Sequence, residues 1–246
     1  MTMMETDSDN WKTLVSRAGR RFYLFVPAII ISWLMVEAVA PQVPRAPWLA
    51  QTGLFLVSLD FYLAAAAKVC DEFAEENVIW LAASRAGCFV EPLVVLFLLS
   101  LISLACFLVV LYQDNIWLSV LVVAAGTVLD LYVLARAWPM WGVPYHFTGK
   151  LVWSPTVRGS GWSGPGLGLA WRLTREQGLL NRYSLRFMAL LILVTGCVVV
   201  LRYYLSLNGL SDIFLYVFGL PLLSVFVVDG TGEMLGMTRI DLEQYE

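Results

Sequence analysis

Two aspartates lie inside otherwise apolar runs and share a local pattern. Ser58-Leu59-Asp60-Phe61-Tyr62-Leu63-Ala64 and Val128-Leu129-Asp130-Leu131-Tyr132-Val133-Leu134 both read L-D-x-Y. A carboxylate in a membrane helix costs about 2.5–3.5 kcal/mol at full depth and less toward the interface. Brought together, Asp60 and Asp130 would form an acid site for protons or cations. The plainer reading, preferred here, is two acids held by water, by a neighbouring arginine or by a missing partner chain. Two short matches do not establish an internal duplication.

The other residues with chemical potential cluster between Arg136 and Arg186. This is the long polar interval of the chain, with seven of the sixteen Lys and Arg residues, the single histidine and five of the ten tryptophans. His146 is read as a hydrogen-bonded structural residue, with catalysis as the alternative. Trp138, Trp141, Trp153, Trp162 and Trp171 could stack on sugars. Indole rings more often anchor a loop at lipid headgroups, and that is the expectation. Gly159 to Gly168 is glycine-rich but has no Walker lysine and no preceding parallel-sheet pattern, so it reads as a flexible linker. Asp229-Gly230-Thr231-Gly232 resembles a phosphorylated-aspartate loop without its lysine. It reads as the glycine-capped end of a helix. Cys70, Cys88, Cys106 and Cys197 form no C-x-x-C pair and are expected as free thiols. With one histidine, no metal or haem site is expected, and no cofactor is assigned.

Composition sets the frame that must position these residues. The chain has 246 residues, 59% hydrophobic and 14% charged, with a mean hydropathy of +0.74. Soluble domains carry about 25% charged residues. Apolar runs near bilayer-spanning length recur at about 22–40, 48–67, 92–112, 116–135, 187–205 and 210–228. The expected fold is all-α: a polytopic membrane protein of about six transmembrane helices, with a long cytoplasmic loop between helices 4 and 5. Its divisions are a cytoplasmic tail (1–21), helices 1–4 (22–135), the Trp/Gly-rich loop (136–186), helices 5–6 (187–228) and a second cytoplasmic tail (229–246). The interval near 71–91 contains an amphipathic stretch suited to the membrane surface. Ala38-Val39-Ala40 has the form of a signal-peptide cleavage site, but Pro41 should block cleavage, so a retained anchor is expected. Gln113-Asp114-Asn115 and Asn208-Gly209 are read as the turns that separate spans 3 and 4 and spans 5 and 6, and Pro221 is expected to kink the last span.

Charge assigns the sides. Of the 16 Lys and Arg residues, 14 fall in the intervals that share a side with the N-terminus, and only Arg45 and Arg202 fall in the others. The positive-inside rule then puts both termini and the long loop in the cytoplasm. No basic block of the kind that holds nucleic acid is present.

One resemblance bears on function. Ala135-Arg136-Ala137-Trp138, followed by His146-Phe147-Thr148-Gly149-Lys150-Leu151-Val152-Trp153-Ser154-Pro155-Thr156, resembles a stretch of membrane-bound family-2 glycosyltransferases of the bacteriophage N4 adsorption protein B type. There, an A-R-A segment ends a helix and leads to a G-R-x-L-x-W-D-K-T run. Here Ser154-Pro155 replaces the acid-lysine pair. Asp7-Ser8-Asp9 has the D-x-D form but lies in a polar tail, and no Q-x-x-R-W is present. The resemblance implies a membrane portion whose partner chain, a glycosyltransferase, carries the chemistry. The expected function is a non-catalytic inner-membrane subunit of a bacterial envelope assembly, for exopolysaccharide synthesis or export, with membrane lipids and protein subunits as partners. The alternatives are a component of a secretion or conjugation apparatus, or a small transporter using Asp60 and Asp130.

Overall fold

The computed structural model describes residues 12, 15–16, 18–39, 47–70, 77–85, 90–112, 115–146, 165–176 and 181–238, and every regular element among them is helical. A 3-10 turn (Phe22–Phe25) leads into α1 (Val26–Trp33), which continues as a π-helical stretch (Leu34–Val39). Pro27 sits in the first turn of α1, where its missing N–H costs least. The next elements are α2 (Pro47–Val69), α3 (Val78–Arg85), α4 (Val90–Tyr112) and α5 (Ile116–Ala137). Two 3-10 turns follow, Trp138–Trp141 and Val143–Tyr145. The chain then forms α6 (Pro165–Glu176), α7 (Arg182–Val199), α8 (Asn208–Ile213) and α9 (Leu220–Thr238).

Four stretches are long and apolar enough to cross a membrane: Val94–Tyr112, Ile116–Tyr145, Arg182–Tyr204 and Asn208–Gly236. They mark the chain as a membrane protein. The first two expected spans also form helices, a shorter apolar one over Phe22–Val36 and α2 itself.

The core gathers around α2. Ala64, Ala65, Ala66 and Ala67 point successively around the helix at about 100° each, and all four are fully buried. The C-terminal half of α2 is therefore enclosed on every side, with α1, α3 and α9 against it. Its end is capped from outside, because Arg21 Nη1 donates to the Lys68 carbonyl at 3.2 Å. In α3, Val78, Leu81 and Ala82 are buried, whereas Ile79 and Trp80 are exposed, the amphipathic pattern expected near 71–91.

Two expected chain breaks lie elsewhere. Asp229–Gly232 does not end a helix, since α9 runs through it to Thr238. Asn208-Gly209 opens α8 instead of forming the turn before it. That turn is made by Ser206, with φ 54°, and Arg202 and Asp212 approach to 3.6 Å across it.

Pro221 acts through a change of helical register. The preceding stretch, Phe214–Gly219, is π-helical, and Leu220 N–H reaches back to the Leu215 carbonyl. In that register the donor to the Tyr216 carbonyl would be residue 221, which is proline and has no N–H. The Tyr62 hydroxyl from α2 takes its place, donating to that carbonyl at 3.0 Å.

Candidate functional site

The segment 138–146 turns inward from the end of α5 and plugs the bundle. Trp138, Pro139, Met140 and Trp141 are buried, as are Val143, Pro144 and Tyr145. Proline again determines the local arrangement. Pro139 cannot donate to the Ala135 carbonyl, its helical acceptor four residues back. Ser184 of α7 does so, with Oγ donating to that carbonyl at 3.1 Å and accepting from Trp138 Nε1 at 3.1 Å. The Thr174 hydroxyl of α6 lies 3.3 Å from the Arg136 carbonyl and 2.9 Å from that of Ala170. The Trp138 ring then stacks on Phe187 with centroids 5.2 Å apart, and Phe226 lies at 5.8 Å.

The second half of the plug meets α9 and α2. His146 Nε2 lies 2.7 Å from the Val228 carbonyl. A carbonyl only accepts, so this nitrogen carries the proton. A Cβ on Gly232 would come 2.6 Å from His146 Cε1, and one on Gly230 3.2 Å from the Trp138 ring. A Cβ on Gly142 would stand 2.7 Å from the Val227 carbonyl oxygen. The glycines of the D-G-T-G run, with Gly142, thus let the plug lie close against α9. Sequence patterning missed this role, because the partners of Gly230 and Gly232 lie some ninety residues away. The Tyr145 hydroxyl donates to the Asp60 carboxylate and sits 3.1 Å from the Asp60 carbonyl, joining the plug to α2.

The two L-D-x-Y aspartates therefore have different surroundings. Asp60 is 5% exposed and engages Tyr145. Asp130 belongs to the α4–α5 hairpin, where Ser103 Oγ donates to its Oδ2 at 3.0 Å. Its other oxygen, Oδ1, is buried and has no hydrogen-bond partner among the described residues. The matched tyrosines diverge as well. Tyr62 caps the Tyr216 carbonyl, whereas Tyr132 meets the Trp171 ring edge-on at 6.2 Å. The Arg136 guanidinium lies 5.8 Å from the centroids of both Tyr132 and Trp171.

The tryptophans divide in the same way. Trp138 and Trp141 are 0% and 8% exposed and pack inside protein, which corrects the expectation that they anchor at headgroups. Trp171 is 40% exposed on α6, beside exposed Arg172 and Arg175, with Leu169, Ala170 and Leu173 buried on the opposite face. Of the linker expected over 159–168, residues 165–168 belong to α6 instead, and 159–164 lie outside the described residues. Trp153 and Trp162 lie outside the described residues, as do Phe147 to Thr156 of the glycosyltransferase-like stretch.

Beside the plug is an apolar cavity of about 410 Å³. Its walls come from α2, α7, α9 and the plug itself, among them Leu59, Trp141, Phe187, Val194 and Val227, with Leu96 and Leu134 of the α4–α5 hairpin closing one side. Among the described residues that line it, none is charged. No protein-family model, curated protein or solved structure matches this chain.

Proposed function

We propose that the protein is a non-catalytic subunit of a larger envelope assembly, embedded in the bacterial inner membrane by six helices, with both termini and the 136–186 interval in the cytoplasm. The observation that carries the subunit reading is Asp130. It stands in a hairpin that packs thinly on the rest of the chain, and half of its carboxylate has no partner among the described residues. A membrane helix retains such a group at a cost, and a donor from a neighbouring subunit would offset it. The separate partners of Asp60 and Asp130 argue against the joint acid site that the transporter reading requires. The likeness of 135–156 to family-2 glycosyltransferases supports an assembly that makes or exports an extracellular polysaccharide, with a glycosyltransferase chain as the neighbour.

Affinity purification of the intact protein in mild detergent tests the subunit reading. Co-purification of a glycosyltransferase is the expected result. Secretion or pilus ATPases would replace that reading with the secretion alternative, and recovery of the chain alone would overturn the subunit role. Reporter fusions after Arg45, Asn115 and Asn208 test the topology, which follows from the 14-to-2 division of cations. All three should report the periplasm, and a cytoplasmic signal at any one rejects six spans.

A further inference from the structure

We propose that the cavity beside the plug holds one acyl chain of a bilayer phospholipid. This rests only on the membrane-embedded part of the reading above and is independent of whether a partner subunit exists. Its walls are almost wholly apolar, and its volume of about 410 Å³ falls within the range of about 300–1,000 Å³ typical of small-molecule sites. The position of its mouth selects the occupant. Thr195 lines the cavity and is also exposed at the protein surface. It lies near the middle of Arg182–Tyr204, one of the stretches long enough to cross a membrane. At mid-span the medium outside is hydrocarbon, so the molecules that reach this mouth are lipid tails.

The hydroxyls near the cavity do not make it polar. Ser224 Oγ is already committed to the Pro221 carbonyl at 2.9 Å, and the Tyr62 hydroxyl to that of Tyr216. The headgroup would remain outside, so the site selects for an unbranched chain and not for headgroup charge.

The test is native mass spectrometry of the full chain released into mild detergent from nanodiscs of a single phosphatidylglycerol with sixteen- and eighteen-carbon tails. The wild type should retain one phospholipid per chain. Thr195→Trp fills the mouth from an exposed position and should lower the lipid-bound fraction by about tenfold. Val198→Trp, which also alters the lining, provides a second reading should the first variant fold poorly by circular dichroism and size exclusion. Ile192→Trp, on the exposed side of α7 and outside the lining, should retain lipid as the wild type does. Absence of a retained phospholipid in the wild type, or equal retention in Thr195→Trp and wild type, overturns the proposal. Loss of a co-purifying protein with lipid stoichiometry unchanged also overturns it, because the cavity would then receive a partner's side chains.

Discussion

The plug-centred core and the α4–α5 hairpin are both built from strongly apolar sequence but use it differently. Within the most apolar window of Asn208–Gly236, 56% of the residues are buried inside the protein. The corresponding shares are 11% for Val94–Tyr112 and 6% for Ile116–Tyr145, while Arg182–Tyr204, with 17%, joins the core through Tyr183, Ser184, Phe187 and Val194. The core spends its apolar side chains on one another, so its stability depends on shape. The hairpin presents Phe97, Leu101, Phe107, Val120 and Leu121 outward, where lipid or another subunit must cover them. Apolar burial therefore separates a part of the molecule that is complete from one that depends on its surroundings.

The largest expected effect is at Trp138. Its ring is fully buried, stacks on Phe187 and donates to Ser184. Trp138→Ala should destabilise the protein by about 3–5 kcal/mol, read as the unfolding midpoint in detergent or lost expression. Phe107→Ala, at a side chain 57% exposed in the hairpin, should stay within about 0.5 kcal/mol. Equal effects would break the comparison. Trp138 and Trp141 are thus poor places to probe partner binding, because altering them disturbs packing first.

Next in size is Gly142→Ala. The added carbon would meet the backbone oxygen of Val227, which cannot swing aside, so a loss of about 1–3 kcal/mol is expected. Gly126 offers the matching test in the hairpin. A Cβ there would meet Cys106 Sγ at 2.5 Å, a side chain that can change rotamer. Gly126→Ala should therefore cost clearly less in the same thermal unfolding assay, and a larger loss than at Gly142 would show the hairpin to be the more tightly packed region.

Much of this division was legible in the sequence, and the remainder depended on long-range contacts. Helix positions followed from runs of apolar residues, and local caps sharpened them. Asn115, expected in a turn, accepts from the backbone of Trp117 and Leu118 at the start of α5. Asn181 does the same for Ser184 and starts α7 at Arg182, five residues before the expected position. The misreadings came from glycine and proline treated as local punctuation. Asp229–Gly232 has the composition of a helix end, yet its glycines serve Trp138 and His146. Trp138 to Tyr145 has the composition of an interfacial loop. Its burial becomes visible only when α7 and α9 return to cover it. A usable signal was present: Pro139 frees the Ala135 carbonyl, and a freed carbonyl requires a donor from elsewhere. The partner of Asp60 stands 85 positions away, and no pattern within its own helix announces it.

Asp60→Ala should cost about 1 kcal/mol. The Tyr145 hydroxyl would lose the carboxylate but still has the Asp60 carbonyl 3.1 Å away. The partial compensation keeps the effect below that at Gly142. A loss above about 3 kcal/mol would mean that the carboxylate, and not the backbone, holds the plug against α2.

The smallest effect on stability, and the one that most sharpens the comparison, is expected at Asp130. Asp130→Asn preserves an oxygen that can accept from Ser103 and removes the formal charge. In the isolated chain this should change stability by no more than about 0.5 kcal/mol, or raise it slightly, since an uncompensated carboxylate in an apolar hairpin is a burden. The consequence should appear in the assembly. If a neighbour donates to Oδ1 or supplies a cation, the amide weakens that contact, and recovery of the co-purifying chain should fall by about tenfold, equivalent to about 1.4 kcal/mol. Paired measurements of unfolding and co-purification on the same preparation separate the two roles. A stability loss above about 1 kcal/mol with unchanged recovery would make Asp130 part of the internal structure of the hairpin. Its outer face would then belong to lipid alone, and the region that depends on its surroundings would need only a bilayer.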